Sequence, residues 1–292
     1  MKIALFGKNI SNDSMEYMKL LVEKLENAGI SFIVYEPFFK TLGHQIPFSK
    51  DVELFTNHSQ IRHQVNFLLS IGGDGTLLDT ITLVRDSAVP ILGINLGRLG
   101  FLASVNKEMI IPAINAMIEG NYTIDKRTLV KIETAHNLFG ELNYALNEMT
   151  VYKKNPLSML TIKVFVNDEF LNAYWADGLI IATPTGSTAY SLSCGGPIIT
   201  PDSENFIITP ISTHNLTVRP IVIPDNSLIK IQVESRESDY YASLDSRSIS
   251  VSSTTELFVK KESFHIHLVK MNNQNFFSTI RHKLLWGNDA RN

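Results

Sequence analysis

The sequence predicts an N-terminal open, doubly wound α/β domain followed by a β-rich, β-sandwich-like C-terminal domain. Three observations predict it. Over residues 1–121, short apolar runs alternate with amphipathic helical runs, the pattern of a parallel sheet with helical crossovers. After Asn121 the helical period gives way to short β-prone runs divided by turns. Two glycine-rich turns each follow an apolar run in the first region, where doubly wound domains bind ligands beyond the carboxyl ends of their strands.

Residues 2–6 read as a first strand ending at Gly7. Residues 14–28 carry Met15, Met18, Leu21, Val22 and Leu25 at helical spacing, with Glu16, Lys19, Glu23 and Glu26 between them. Gly29 stops that helix, and residues 30–35 form the next strand, so the chain starts with a β-α-β unit and a right-handed crossover. Residues 37–57 show no period and read as a mobile loop. Residues 67–71 read as a strand, 76–86 as a helix capped by Thr76, 91–94 as a strand, and 107–119 as a helix ended by Gly120. Beyond these, residues 128–134, 144–152, 160–166, 179–182, 228–233 and 248–251 read as strands, with Asn167-Asp168 and Pro224-Asp225-Asn226 as turns. The expected division is residues 1–121, a β-rich domain over 122–273, and a tail over 274–292. In the tail, Phe277, Ile280, Leu284 and Leu285 fall on one helical side, which is expected to pack back on the first domain.

Bulk properties narrow the classes. A chain of 292 residues is long enough for two domains. Its 44% apolar and 19% charged content suits a globular protein, and a formal net charge of −3 offers nucleic acid no basic face. No apolar run approaches the ~20 residues that span a bilayer, so no membrane partner is expected. The apolar start is too short for a signal peptide. A single cysteine, Cys194, excludes an internal disulfide, as suits a reducing, cytoplasmic location.

The chemistry centres on Gly72-Gly73-Asp74-Gly75-Thr76. Strand, glycine turn and helix start together bring backbone N–H groups close to a phosphate. A carboxylate there repels phosphate, so Asp74 is not present for affinity; it accepts a proton from a hydroxyl or holds a metal ion. A tight turn alone also accounts for Gly and Asp, and the flanking strand and helix favour phosphoryl transfer. A second constellation runs from Asp177 through Thr183-Pro184-Thr185-Gly186-Ser187-Thr188-Ala189-Tyr190-Ser191, where a strand enters a hydroxyl-rich turn beside a tyrosine suited to stacking. Asn147-Glu148 interrupts a β-prone run and offers an amide and a carboxylate to ribose hydroxyls or a base edge, or simply ends a strand. His214, His265 and His267 have no metal-ligand spacing, Cys194 reads as a packing residue, and Lys153-Lys154 as a solvated face.

Together these motifs resemble the NAD kinase family. The resemblance rests on Gly72-Gly73-Asp74-Gly75-Thr76, Gly97-Arg98-Leu99-Gly100-Phe101, Asn147-Glu148, the run from Asp177 to Tyr190 with Gly195-Gly196-Pro197 after it, and Ser243-Leu244-Asp245-Ser246. It implies an α/β domain joined to a β-rich domain, with the dinucleotide bound between them. It also implies transfer of the terminal phosphate of ATP, or of polyphosphate, to the 2′-hydroxyl of the adenosine ribose of NAD. A divalent cation, usually Mg²⁺, takes part, with metal ligands unassigned, and members are homodimers or homotetramers. By matched position, Asp74 is the proton acceptor and Gly75 allows close approach. Phe101 packs on the adenine, and Asn147 and Glu148 bind the NAD sugar and base. Asp177 contacts the nicotinamide end, and Thr188, Ala189, Tyr190, Ser191, Leu192 and Ser193 line the adenine and ribose site, with Tyr190 stacking. Arg247 stands where members vary. Trp175 stands where some members carry a basic residue, so no preference between NAD and NADH follows. Two alternatives stay open at this point. Lipid kinases of the diacylglycerol or sphingosine type carry a similar glycine turn, and a non-catalytic NAD(H) sensor has need of the binding residues alone.

Overall fold

The structure, a computed structural model, describes residues 1–48, 51–97, 100–272 and 275–287. The chain divides into two compact units, Met1–Lys126 with Ile266–Asn292, and Arg127–His265.

In the first unit, eight strands of the described residues form one sheet. Its order is Glu53–Phe55, Ser31–Tyr35, Lys2–Gly7, Phe67–Ile71, Ile91–Asn95, Ile266–Met271 and Tyr122–Arg127, with Val105–Asn106 also paired to Ile91–Asn95. Neighbours from Glu53–Phe55 through Ile266–Met271 run parallel. Phe67–Ile71 and Ile91–Asn95 are buried at every position, which is why their sequences are mostly apolar rather than alternating, with Ser70 and Asn95 as buried polar members. Helix Asn12–Asn27 covers the sheet with the predicted stripe of Met15, Met18, Leu21, Val22 and Leu25, all buried. The chain winds outward from Lys2–Gly7 one way and from Phe67–Ile71 the other. The sheet therefore changes direction between these two strands, and in doubly wound sheets the carboxyl ends at such a point are where ligands bind. The Gly72-Gly73-Asp74-Gly75 turn leaves Phe67–Ile71 at this point.

Three readings are corrected here. The expected loop over 37–57 holds helix Glu36–Leu42 and the edge strand Glu53–Phe55. Its order comes from Pro37 in the first turn and from aromatic anchors, with Phe38 fully buried and Phe39 stacked 5.4 Å from Phe48, and such anchors leave no period. Thr76 is not the cap of its helix: helix Asp74–Val84 starts two residues earlier, with Gly73 in the cap position. Strands Tyr122–Arg127 and Ile266–Met271, read as part of a second domain, belong to the first sheet. Leu268 pairs with Ile91, a return across the fold that local β propensity does not encode. The expected end at Asn273 lies outside the described residues.

The second unit is a sandwich of two six-stranded sheets whose strand pairs run antiparallel. One sheet runs Ile221–Pro224, Asn205–Ile211, Gly178–Ala182, Glu148–Tyr152, Asp239–Leu244, Arg247–Ser252. The other runs Glu169–Ala176, Leu160–Val166, Ile229–Ser235, Leu257–Lys261, Val130–Glu133, Tyr144–Ala145. A single apolar core draws on both, including Met149, Leu179 and Phe206 from the first and Ile162, Ile231 and Val259 from the second.

The C-terminal helix, Phe276–Leu284, is capped by Asn275, whose side chain accepts the Phe277 N–H at 2.9 Å. Its predicted apolar side is largely exposed: Ile280 is buried, whereas Phe277, Leu284 and Leu285 face solvent. Lys283 reaches over the Phe101 ring, 6.0 Å from its centroid. Among the described residues no helix is long and apolar enough to cross a membrane.

Candidate active site

In the first unit the site is built around Asp74. The turn leaves its strand at Gly72, where φ is +148° and a Cβ would lie 2.3 Å from the Thr76 hydroxyl, so only glycine fits. Asp74 then opens the helix, and its carboxylate turns toward the segment after the second glycine turn. Phe101 N–H donates to Oδ2 at 2.7 Å, while Leu102 and Ala103 N–H donate to Oδ1 at 3.1 and 2.9 Å. A carboxylate has about four acceptor positions. Three are filled by backbone donors that cannot rotate away, and one remains, on Oδ2. Gly100 completes this cradle, since a Cβ there would lie 1.8 Å from Asp74 Oδ1. Arg98 and Leu99 of the second turn lie outside the described residues. Gly75 is exposed, and a Cβ there would meet nothing within 4 Å.

In the second unit the Asn147-Glu148 break and the Thr183–Tyr190 turn are welded together. Thr183 N–H donates to Asn147 O at 2.9 Å, and the Thr183 hydroxyl donates to Leu146 O. Gly186 packs so closely on this backbone that a Cβ would lie 2.1 Å from Asn147 O. The strand breaks at 146–148 because Asp245 takes over its hydrogen bonds, accepting the N–H groups of Leu146, Asn147 and Glu148 at 2.9, 2.8 and 3.2 Å. Arg247 holds the preceding stretch by donating to the carbonyls of Leu142 and Tyr144. Thr188 donates to Thr185 O, Ala189 N–H to Gly186 O, and Ser191, fully buried, pairs its hydroxyl with Thr209. Leu192 is half-buried and Ser193 exposed, and the Tyr190 ring is 41% exposed. Asp177 is ion-paired to Lys153 at 2.6 Å. Lys153 is thus not part of a solvated face, being only 12% exposed; strand pairing sets it opposite Asp177, where Lys153 N–H donates to Asp177 O.

Electrostatics single out Glu148. Burial, and then the negative charge of Asp245, push its carboxyl up to about 8 against the lowering effect of the Tyr190 backbone. Its Oε2 is buried with no hydrogen-bond partner. Burial likewise pushes Asp245 up, opposed by the three backbone N–H groups and by Arg247. Burial raises the Tyr190 phenol, with Cys194, Tyr152, Asp177 and Glu148 adding to the shift, which marks these groups as neighbours. The Glu148 shift has a stability consequence. Folded Glu148 keeps its proton up to about 8, while the unfolded chain loses it above 4.5. Its contribution is therefore fully present below 4.5 and is lost as pH rises through about 8. Glu148→Gln is neutral throughout, so its melting temperature should gain several degrees on wild type between about pH 5 and about pH 9. Parallel melting curves across that range would contradict a buried, protonated Glu148.

Among the described residues, no three His, Cys, Asp or Glu side chains converge to hold a metal ion. Sequence reasoning missed two backbone cradles, Gly100 with the N–H groups of 101–103 and Asp245 as anchor of 146–148, and one ion pair, Lys153 with Asp177. The Asp245 motif was visible as Ser243-Leu244-Asp245-Ser246, but its target lies 97–99 residues away.

Comparison with known proteins agrees with this architecture. Residues 3–122 match the model of the ATP-NAD kinase N-terminal domain, and residues 146–271 match that of the ATP-NAD kinase C-terminal domain. The chain is 46% identical over 293 residues to the NAD kinase of Cytophaga hutchinsonii and 46% identical over 294 residues to that of Flavobacterium psychrophilum, covering 100% of both chains in each case. Among solved structures, yeast NADH kinase complexed with NADH shares the fold, with a TM-score of 0.86 at 24% identity, covering 99% of this chain and 89% of that one. An NAD kinase from Archaeoglobus fulgidus in complex with ATP gives a TM-score of 0.75 at 25% identity, covering 98% and 99%. With full-length relatives at this identity and both of its domain models matched, the chain belongs to the NAD kinase family of phosphotransferases.

Proposed function

We propose that the chain transfers the γ-phosphoryl group of ATP to the 2′-hydroxyl of the adenosine ribose of NAD, with Asp74 as general base. The observation that carries this reading is the Asp74 cradle, which fixes a carboxylate at the switch point of the sheet with one acceptor position left on Oδ2. In the reaction that position takes the hydroxyl proton, O2′ forms a bond to Pγ, and the Pγ–O bond to the β-phosphate breaks to release ADP. Backbone N–H groups at the start of helix Asp74–Val84 stabilise the phosphoryl charge. Asn147, Glu148 and Tyr190 bind the acceptor's sugar and base. Burial and the Asp245 charge favour the protonated form of Glu148, which makes its carboxyl a hydrogen-bond donor at this position. Asp177, oriented by Lys153, takes the nicotinamide end.

Among the described residues no three His, Cys, Asp or Glu side chains would hold a divalent ion. Mg²⁺ belongs with the substrate, carried on the phosphates of the donor.

The test is NADP formation by the purified chain with NAD, ATP and Mg²⁺, detected by an NADP-specific dehydrogenase. ATP-dependent product supports the reading. NAD binding without product from ATP or polyphosphate would replace it with a sensor. Light scattering on the same sample tests the homodimer or homotetramer implied by the family.

A glycine substitution separates a phosphate cradle from a mere turn. Gly75→Ala meets open space, and alanine is the better helix residue by about 0.5–1 kcal/mol, so the melting temperature should hold or rise. If substrate approaches the backbone there, KM for a nucleotide should nonetheless rise by about tenfold, the order of one lost close contact. Unchanged KM values would remove Gly75 from the site.

A further inference from the structure

A cavity of about 610 Å³ lies wholly within the first unit. It is walled by helix Ile110–Glu119, by the C-terminal helix Phe276–Leu284, and by Gly100 and Phe101. These last two residues also hold the Asp74 carboxylate, Phe101 through its N–H and Gly100 by leaving it room. The cavity therefore begins within one residue of the proposed base. Its volume falls in the range of sites that enclose a small molecule.

The lining is aromatic, thioether and amide in character. Phe101 and Met109 offer a ring and a polarisable sulfur to a flat ligand. Four asparagines, Asn106, Asn121, Asn272 and Asn275, join Ser104, Ser278, Thr279 and His282 in its polar lining. Asn106 and Asn275 spend their side-chain oxygens on the N–H groups of Met109 and Phe277, which leaves their amide N–H₂ groups as donors. Asn121 donates to Glu119, which leaves its carbonyl as an acceptor. Among these, the two donor amides of Asn106 and Asn275 and the acceptor of Asn121 suit the edge of an aminopurine, with its ring-nitrogen acceptors and exocyclic amine. An acyl chain would leave all three unpaired, a cost that argues against a lipid. No Asp, Glu, Lys or Arg lines the cavity among the described residues, so a polyanionic ligand meets no like charge inside it. Positive charge sits next to it instead: Arg281 and Lys283 flank His282 in the last turn of the C-terminal helix, and Lys283 lies over the Phe101 ring.

We infer that this cavity receives the base and ribose of the nucleoside triphosphate donor, with its phosphates running past Phe101 and Lys283 toward Asp74. The inference rests on the phosphotransferase reading above, which assigns the acceptor's base to Asn147, Glu148 and Tyr190 and gives the donor's base no site; it moves Phe101, which the family resemblance set against the acceptor's adenine, to the donor.

The experiment uses the full-length wild-type chain and an azido-adenine analogue of ATP. After illumination, the labelled peptides are identified by mass spectrometry. Label within residues 109–116 or 275–282, competed by ATP, is expected; label confined to other segments overturns the assignment. Ala116→Phe, which projects a ring from the cavity wall, should raise KM for ATP by about tenfold while KM for NAD stays within about twofold. Inhibition by inorganic tripolyphosphate, which carries no base, should not change. An unmoved KM for ATP in a folded, active Ala116→Phe protein overturns the cavity assignment alone, and a raised KM for NAD reassigns the cavity to the acceptor. Wild-type protein that forms no NADP from ATP fails the earlier reading instead. If Ala116→Phe does not fold, the wild-type labelling pattern decides.

Discussion

Replacing Asp74 by asparagine should lower kcat by about 10²- to 10⁴-fold, the usual worth of a positioned general base, while the Kd for NAD stays within a few-fold of wild type. The substitution removes the acceptor for the hydroxyl proton and one of the two oxygens that receive backbone N–H groups. The amide N–H₂ then faces either the Phe101 donor or the Leu102 and Ala103 donors, so the cradle is disturbed as well. Calorimetric titration of NAD separates the two effects. Affinity held while turnover collapses assigns the loss to the transition state, and a parallel loss of both assigns it to structure. Near wild-type turnover would end the base assignment. Asp74→Glu sharpens the point, because it keeps the charge but overruns a cradle fitted to the shorter side chain. It too should lose most of kcat if position matters as well as charge.

Gly100→Ala should be nearly as damaging, although it adds one methyl group. The new Cβ would lie 1.8 Å from Asp74 Oδ1, 2.4 Å from its Cγ and 2.7 Å from its Oδ2, so the whole carboxylate must move. An ångström of displacement at a reacting group costs about 10²-fold, so a kcat loss of that order is expected. Gly73→Ala and Gly75→Ala separate carboxylate displacement from substrate approach, because a Cβ at either meets nothing within 4 Å and should leave Asp74 in place, so any loss there is expected in KM. The measurement is kcat for all three alanine variants alongside their melting temperatures. Gly100→Ala with unimpaired kcat would show that the carboxylate tolerates relocation, and the cradle would lose its catalytic meaning.

Where the sequence was legible, one face or one run carried the signal. Met15, Met18, Leu21, Val22 and Leu25 define a helix by period, and Phe67 to Ile71 define a buried strand by continuity. The Gly72–Thr76 turn showed itself because glycine is informative wherever backbone must be approached closely. Long-range devices were not legible. The donors to Asp74 come from 27–29 residues away and those to Asp245 from 97–99, and backbone N–H groups have no residue type. The return of Ile266–Met271 to the first sheet is also silent, because a β-prone run does not name its neighbour. Residues 37–57 failed for a different reason: buried Phe38 and stacked Phe39 anchor that segment one contact at a time, without a repeat.

The most direct test of the central claim is to follow a radiolabelled γ-phosphoryl group. The purified chain is given labelled ATP, Mg²⁺ and NAD, and the labelled product is digested to locate the phosphate on the dinucleotide. The account predicts label on the 2′ oxygen of the adenosine ribose, formed by wild type and lost with Asp74→Asn. Label that stays on ATP, passes only to water, or appears only when a lipid acceptor is supplied would contradict it.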